Sequence, residues 1–132
     1  MSSQFNWQDF YKLALQILNQ KTGNLEEAKN RTICSRSYYA IFKEVEDFLR
    51  DKGKLPKKSN HEELFRFLQT YSYTKDVNTF YLKLRKLGSK RLQADYKRHM
   101  KIKERDAKRA LRLCEECINL WNTKVKNFLS LF

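Results

Sequence analysis

Glycine and proline, the residues that most often break helices, are scarce: the 132-residue chain has three glycines and one proline. This scarcity favours an all-α protein and argues against sheet-rich classes, which need many tight turns. No apolar run is long enough to span a bilayer. The first residues also lack the basic region and apolar core of a secretory signal. We therefore expect a cytoplasmic protein without membrane contact, formed by one domain over residues 1–132.

Cysteine is also sparse, and an odd count of three without a signal peptide argues against a disulfide framework. Cys114 and Cys117 have CxxC spacing, but both fall on the apolar stripe of the last predicted helix. We interpret them, and Cys34, as small core residues. The chain has no second CxxC, histidine pair, glycine-rich phosphate loop or nucleophile–base pair. The sequence therefore predicts neither a metal site nor a cofactor.

Acidic residues are few in the second half of the chain, where the basic residues concentrate. The net charge is +13, from 28 Lys+Arg against 15 Asp+Glu. Residues 83–112 hold thirteen lysines and arginines and only three acidic residues. Such a cluster attracts polyanions, so RNA or a nucleotide is the first candidate partner. An acidic partner protein and a merely solvated helical face are the alternatives.

Apolar residues recur at helical spacing in five segments. They predict helices over residues 7–19, 24–51, a short stretch after Ser59, 77–96 and 103–128. Asn24, Ser59 and Asp76 are the predicted N-caps, the first two with a capping-box glutamate three residues later. The expected fold is an up-down antiparallel four-helix bundle with one additional short helix.

The second predicted helix has an unusually wide apolar face. That width predicts a central helix, or one that also contacts another subunit. Two adjacent stripes form the face, one of Ala28, Thr32, Ser35, Tyr39, Phe42 and Leu49, and one of Cys34, Tyr38, Ile41, Val45 and Phe48.

Arg91 interrupts the apolar stripe of the fourth predicted helix. The stripe runs through Val77, Phe80, Tyr81, Leu84 and Leu87, and its next position is Arg91. A charge at a core-facing position is costly unless it is paired or in use. Asp95 is spaced for an ion pair with it. Two interpretations remain open: a buried polar network that fixes helix register, or a half-sheltered guanidinium that binds phosphate.

The two histidines differ in their expected surroundings. His61 begins the short third helix beside its cap, where we expect a surface position. His99 lies eight residues after Arg91, which is two turns along the same face if the helix continues. Near a phosphate groove it could act as a general base, and an exposed histidine without a role is the alternative.

Two segments resemble the HEPN superfamily. Residues 28–42 read AKNRTICSRSYYAIF, similar to a second-helix signature of an Arg followed by Ser-Arg-Ala-Tyr-Tyr-Ala and an aromatic residue, with Ser37 in place of the usual Ala. Residues 91–96, RLQADY, resemble the Arg-x-x-Ala-Asp-Tyr segment of small stand-alone members. Asn60-His61 falls where many relatives have Ser-His before the short helix. The resemblance covers residues 8–122.

This resemblance implies a dimeric helical bundle that brings two copies of the arginine motif together. Many relatives are metal-independent endoribonucleases, many act as toxins, and they are often encoded beside a nucleotidyltransferase that serves as antitoxin. Their motif is an arginine, four to six residues, then a histidine. Here Arg91 begins the motif, but Tyr96 stands five residues on, and seven residues separate Arg91 from His99.

The catalytic candidates that follow from the resemblance are Arg91, Asp95, Tyr96 and His99. Arg91 would stabilise charge on phosphorus, Asp95 would orient it, and His99 or Tyr96 would assist proton transfer. By its position, Tyr96 is also the candidate acceptor of a transferred nucleotide. The RNA- or phosphate-binding candidates are Arg31, Arg36, Lys90, Lys97, Arg98 and Lys101. A non-catalytic nucleotide- or RNA-binding module that partners a nucleotidyltransferase is the second hypothesis, and a structural bundle that docks an acidic partner is the third.

Overall fold

The computed structural model describes residues 4–132, and its regular structure is entirely helical over that range. The elements are α1 (Asp9–Leu18), a 3₁₀ turn (Gly23–Leu25), α2 (Glu26–Asp51), α3 (His61–Thr70), α4 (Lys75–Tyr96) and α5 (Glu104–Leu120), followed by a π-helical turn (Trp121–Val125) and α6 (Lys126–Leu129). No helix in this described part is both long and apolar enough to cross a membrane.

The helix α2 lies at the centre of the bundle and contacts α1, α4 and α5, while the short α3 packs on α4. The four-helix bundle with one additional short helix is therefore confirmed, and so is the central place of α2. The wide apolar face of α2 is explained by three neighbours rather than one. Its buried side chains differ partly from the predicted stripes: Ala28 and Thr32 are exposed, whereas Ile33 is fully buried.

The core is dominated by large side chains from α2, α4 and the C-terminal helical segment. Trp121 is fully buried, stacks on Phe80 with ring centroids 5.7 Å apart and meets Phe48 edge-on at 5.2 Å. Cys114 and Cys117 are buried in the same core, as their stripe predicted. Burial raises the pKa of the Cys117 thiol to about 12, so it stays protonated. Neither sulfur has thiolate character for metal or redox chemistry.

Three predicted helix starts are wrong by one or two residues. Asn24 lies inside the 3₁₀ turn, so α2 begins at Glu26 without a side-chain cap. The cap of α3 is Asn60, whose side chain accepts the Glu63 backbone N–H at 2.9 Å, rather than Ser59. The fourth helix begins at Lys75, which leaves Asp76 in its first turn. An aspartate there still favours the positive end of the helix dipole.

Candidate phosphate-binding cleft

Arg91 occupies the core-facing position that the sequence predicted, close to the C-terminal end of α4. Its side chain is 13% exposed. The Nε atom lies 2.9 Å from Asp95 Oδ2 one turn later, and this contact confirms the predicted ion pair. The N–H does not point along that line, so the buried Nε makes no hydrogen bond. Asp95 also accepts a long hydrogen bond of 3.4 Å from Ser35 Oγ on α2.

Three tyrosine rings surround the Arg91 guanidinium. Its Nη2 donates to Tyr39 Oη at 2.6 Å and lies 3.5 Å from Tyr96 Oη. The guanidinium carbon is 5.2 Å from the Tyr39 ring centre, 5.3 Å from that of Tyr96 and 5.9 Å from that of Tyr38. These distances are in the range of cation–π attraction, which stabilises a cation partly removed from water.

The remaining donors of Arg91 are free to meet a ligand. Its Nη1 atom has no hydrogen-bond partner within residues 4–132, whereas Nη2 donates strongly to Tyr39 and weakly to Tyr96. A guanidinium stays charged at any physiological pH and presents donors in a planar fork that matches phosphate oxygens. The network of Tyr39, Asp95 and Ser35 therefore holds the cation in place, as the polar-network interpretation predicted, and leaves its Nη1 amino group without a partner among the described residues.

A cleft of about 660 Å³ opens beside Arg91, between α2, α3 and α4. Gly88 forms part of its wall, and a Cβ at that position would lie 3.3 Å from the Tyr38 ring. The absence of a side chain at Gly88 lets α4 approach Tyr38 closely. The ion pair of Arg85 with Glu62 at 2.8 Å joins α4 to α3 beside the cleft. We call this space the Arg91 cleft. Its full lining consists of Tyr38, Asn60, His61, Glu62, Phe65, Arg85, Gly88, Ser89, Arg91 and Leu92.

His61 lines this cleft, so the expectation that it lies on the surface is wrong. It is partly buried, and its ring packs on Phe42 with centroids 4.1 Å apart. Its Nδ1 is hydrogen-bonded to Tyr38 Oη at 2.9 Å. The Asn60 cap fixes the first residue of α3, and with it the imidazole, against the aromatic side chains of α2.

Burial and a neighbouring cation keep His61 neutral near pH 7. Burial lowers the pKa of His61 below its ordinary 6.5, and the positive charge of Arg91 lowers it further. Burial raises the pKa of the Tyr38 phenol well above its ordinary value. The pair is therefore a neutral imidazole bonded to a neutral phenol.

A second, shallower cleft of about 360 Å³ lies on the other side of Tyr39 and His61. Arg36 stands there with its guanidinium 4.9 Å from the Phe10 ring centre and 5.2 Å from that of Tyr39. Arg36 Nη2 also donates to Ser35 Oγ at 3.4 Å. The predicted phosphate ligand Arg36 thus lies beside the Arg91 network, and His61 lines both clefts.

Arg31 has a structural role. Its Nη1 and Nη2 donate to the backbone carbonyls of Gln93, Ala94, Lys97 and Met100 at 2.6–3.3 Å, and Nε and Nη2 donate to Glu27. All of its donors are used within the chain. Arg31 therefore fixes the end of α4 and the following turn, and the geometry gives no support to its predicted phosphate contact.

The turn that follows α4, which holds the Lys97 and Met100 carbonyls bonded to Arg31, places His99 away from its predicted position. The helix α4 ends at Tyr96, so the condition that placed His99 on the Arg91 side is not met. His99 is exposed and lines none of the clefts described above. Tyr96, in contrast, meets Arg91 and is 67% exposed.

The other predicted phosphate ligands lie around the rim or elsewhere. Lys90 is 3.6 Å from Asp106, on the side of α4 that faces α5. Lys101 is 3.4 Å from Glu27. Lys97 and Arg98 are exposed in the turn after α4, and Arg98 lines a shallow recess with Asp95 and Tyr96.

A separate row of cations runs along the outer face of α5. We call it the α5 row, and it consists of Arg105, Arg109 and Arg112, which are all exposed and one turn apart. None of the three has an ion-pair partner within the described residues, although Asp106 and Glu116 nearby bind lysines of α4. This row holds three of the thirteen lysines and arginines of residues 83–112.

Of the residues that line the Arg91 cleft, the sequence predicted only Arg91 as a site residue, and the missed side chains that most affect its chemistry are Tyr38, His61 and Arg85. Tyr38 was assigned to an apolar stripe. Its ring is buried as that assignment predicts, but its hydroxyl is hydrogen-bonded to His61. The available signal was the Asn-His pair at a helix start, because an N-cap fixes the direction of the next side chain. Periodicity alone does not reveal which helices α3 approaches.

No group of three or more His, Cys, Asp or Glu side chains over residues 4–132 is arranged to hold a metal ion.

One comparison with known proteins identifies the chain. No curated protein and no solved structure matched the chain. The model of the HEPN domain family matches residues 7–124, which include both resembling segments, all of α1–α5 and the whole Arg91 cleft. The chain therefore belongs to the HEPN domain family.

Proposed function

We propose that the 132 residues act as one domain that binds RNA phosphate at the Arg91 cleft and cleaves the RNA without a metal ion. The observation that carries this proposal is the state of Arg91: a sheltered guanidinium, held by Tyr39 and Asp95, with donors left free beside an open cleft. Holding a cation there has a desolvation cost, and a phosphodiester ligand offsets that cost with charge-assisted hydrogen bonds.

The proposed reaction is attack of a ribose 2′-OH on the neighbouring phosphate. Negative charge grows on the phosphoryl oxygens as the 2′-oxygen approaches, and the Arg91 fork stabilises it. Asp95 orients the guanidinium through the contact at 2.9 Å. Lys97 and Arg98, in the adjoining turn, hold the strand through its backbone.

The working unit in this proposal is a cytoplasmic homodimer in which two Arg91 clefts lie near each other. Leu92 and Tyr96 support this part, since they are large, about half or more exposed and adjacent to Arg91. Dimerisation through them would cover apolar surface and enclose the cleft. The biological role we propose is a toxin in a toxin–antitoxin or defence system, with a nucleotidyltransferase as its antitoxin.

Incubation of purified protein with total RNA in excess EDTA tests the proposal. Wild type is expected to fragment the RNA, and Arg91→Ala is expected to lose at least about 100-fold in rate, the usual effect of removing a donor to a developing oxyanion. Arg66→Ala is the matched control, because Arg66 is an exposed arginine of α3 outside the cleft. Intact RNA with wild type, or equal cleavage by Arg91→Ala, would contradict the proposal.

The second candidate function is non-catalytic binding of a nucleotide or RNA for a partner nucleotidyltransferase. The observation that favours it is the tyrosine, rather than a histidine, that stands beside Arg91 at position 96. An exposed phenol hydroxyl is a suitable nucleotide acceptor, whereas it is a poor base at neutral pH. Arg91-dependent binding of a 2′-O-methyl RNA oligonucleotide without any cleavage of ordinary RNA would favour this function.

A further inference from the structure

The family-like motif on α4 lacks a histidine at the expected spacing, yet the Arg91 cleft contains one. His61 comes from the first residue of α3, 30 positions before Arg91 in the sequence. It lines the same cleft as Arg91, and the two side chains are close enough for the charge of one to affect the titration of the other.

We infer that His61 is the proton-transfer residue of the Arg91 cleft, accepting the 2′-hydroxyl proton through Nε2 while Tyr38 holds Nδ1. This inference rests on the proposed ribonuclease function. It assigns the role from geometry to a histidine of α3, instead of the segment that follows Arg91.

The surroundings of His61 fix the ring and leave one nitrogen available. Phe42 packs on the ring face at 4.1 Å, and Tyr38 Oη is bonded to Nδ1 at 2.9 Å. The Nε2 atom, on the opposite edge of the ring, makes no hydrogen bond with the described residues. A general base needs this arrangement: one nitrogen oriented by a partner and the other directed at the substrate.

The proposed step conserves both bonds and protons. The bond from the 2′-oxygen to phosphorus forms, the bond from phosphorus to the 5′-oxygen breaks, and the 2′-OH proton moves to Nε2. The imidazolium then returns that proton to the leaving 5′-oxygen, directly or through water. The products are a 2′,3′-cyclic phosphate and a 5′-hydroxyl, and His61 is neutral again.

Tyr38 is a positioning residue in this scheme. For Nε2 to accept a proton, Nδ1 must carry its own hydrogen and donate it to the Tyr38 oxygen. Burial keeps the phenol neutral, so Tyr38 offers an acceptor lone pair and does not compete for the proton. Its ring lies against Gly88 of α4. Tyr38 therefore links the histidine of α3 to the helix that carries Arg91.

The pH dependence of the step follows from every charged or titratable group near the imidazole. Arg91 and Lys43 oppose its protonation, and Glu46 and Glu62 favour it, but burial is the largest influence. Cleavage at sub-saturating RNA, which reports the free protein, should therefore lose activity only as the pH falls below 6.5, with the midpoint of the acidic limb of the pH–rate profile lower than that value. The groups that surround His61 are Arg36, Tyr38, Tyr39, Lys43 and Glu46 of α2, Glu62 of α3, and Arg85 and Arg91 of α4.

The test compares two histidine variants, His61→Gln and His99→Gln. Each variant is measured for RNA cleavage and for binding of a 2′-O-methyl RNA oligonucleotide. This oligonucleotide lacks the attacking hydroxyl and therefore is not cleaved. His61→Gln should reduce the cleavage rate by about 100-fold or more, the usual range for a general base, with binding within about threefold of wild type. Tyr38→Phe should lower the plateau of the pH–rate profile by about tenfold, which corresponds to the loss of one hydrogen bond. It should also move the acidic limb of that profile to lower pH, because the imidazolium loses the acceptor of its Nδ1 proton.

A second readout does not depend on activity. The chain has two histidines, so its histidine ring signals can be assigned with the two variants. Addition of uridine 3′-monophosphate should shift the His61 signal and raise its titration midpoint, because the phosphate dianion favours the imidazolium. Arg91→Ala should abolish that shift.

The outcomes separate this inference from the proposed function. The role of His61 is overturned if wild type cleaves RNA and His61→Gln cleaves it within threefold of the wild-type rate. It is also overturned if the nucleotide leaves the His61 NMR signal unmoved. Both outcomes leave the ribonuclease function intact. A larger loss for His99→Gln than for His61→Gln also overturns it. Absence of cleavage by wild type overturns both, and Arg91-dependent RNA binding would then identify the binding function.

Discussion

The Arg91 cleft and the α5 row are both cationic, but they hold their charges in opposite ways. Arg91 is 13% exposed, bonded to Tyr39 and surrounded by three aromatic rings. The arginines of the α5 row are exposed and have no ion-pair partners within the described residues. Salt screens exposed charges strongly and sheltered ones much less. Under the proposed function, Arg91 would therefore orient one phosphate, whereas the α5 row would attract a whole strand.

Replacing Arg91 by lysine is expected to give the largest effect, because it keeps the charge and removes the fork. Lysine reaches a phosphate as a point charge and cannot donate to Tyr39 and to two ligand oxygens in one plane. Cleavage by Arg91→Lys should fall by about 100-fold, close to the Arg91→Ala value. The matched variant Arg109→Lys, in the α5 row, should stay near the wild-type rate. Equal rates for Arg91→Lys and wild type would show that charge alone is sufficient.

Replacing Arg31 by alanine should damage the fold more than any change in the α5 row. Arg31 donates to four backbone carbonyls and to Glu27, and its removal takes one donor from each of these acceptors. We expect the free energy of unfolding to fall by about 2–4 kcal/mol, measured by urea denaturation. Arg112→Ala is the control and should change stability by less than about 0.5 kcal/mol. A neutral Arg31→Ala would contradict its structural role.

Neutralising the α5 row should weaken RNA binding uniformly and make it less sensitive to salt. The triple variant Arg105→Gln, Arg109→Gln and Arg112→Gln removes up to three phosphate contacts. The slope of log affinity against log salt for a single strand should then become shallower by about 2. The rate at saturating RNA should stay near that of wild type. An unchanged slope would exclude the α5 row as a strand-binding surface.

Acid pH should lower stability slightly through His61. Burial and Arg91 depress its pKa in the folded state, so the unfolded chain binds the proton more readily. The contribution of His61 to stability is complete above pH 6.5 and is lost as the pH falls through the folded pKa. Comparison of urea midpoints at pH 7.5 and pH 5 should therefore show a smaller drop for His61→Gln than for wild type. An identical drop in the two proteins would argue against this linkage.

Periodicity was sufficient to predict the fold and the residue that anchors the cleft. The spacing of apolar residues predicted four long helices and a short one, and the misfit of Arg91 in one stripe predicted a special position. Its partner Asp95 lies on the same helix, so the distance followed from helical geometry alone. Contacts between residues one helical turn apart are set by their spacing in the sequence, and the Arg91–Asp95 contact in the structure is of this kind.

Contacts between different helices could not be obtained from spacing. His61 reaches Tyr38 because α3 packs on α4 with its first residue beside α2, and that arrangement depends on the loop over residues 52–60 and on packing. Arg31 resembled a phosphate ligand because its carbonyl partners, at the end of α4 and in the turn that follows, lie more than 60 residues away in the sequence. The same turn ends α4 at Tyr96 and removes His99 from the Arg91 side. The errors at His61 and Arg31 therefore concern residues whose partners are distant in the sequence.

The most direct measurement of the central claim is a titration of arginine guanidinium signals by NMR with a 2′-O-methyl RNA tetranucleotide. The account predicts that the Arg91 signal shifts and saturates, and that the shift persists at high salt while the signals of the α5 row return to their free positions. An Arg91 signal unchanged at saturating oligonucleotide, with shifts confined to the α5 row, would contradict the claim that the Arg91 cleft binds phosphate.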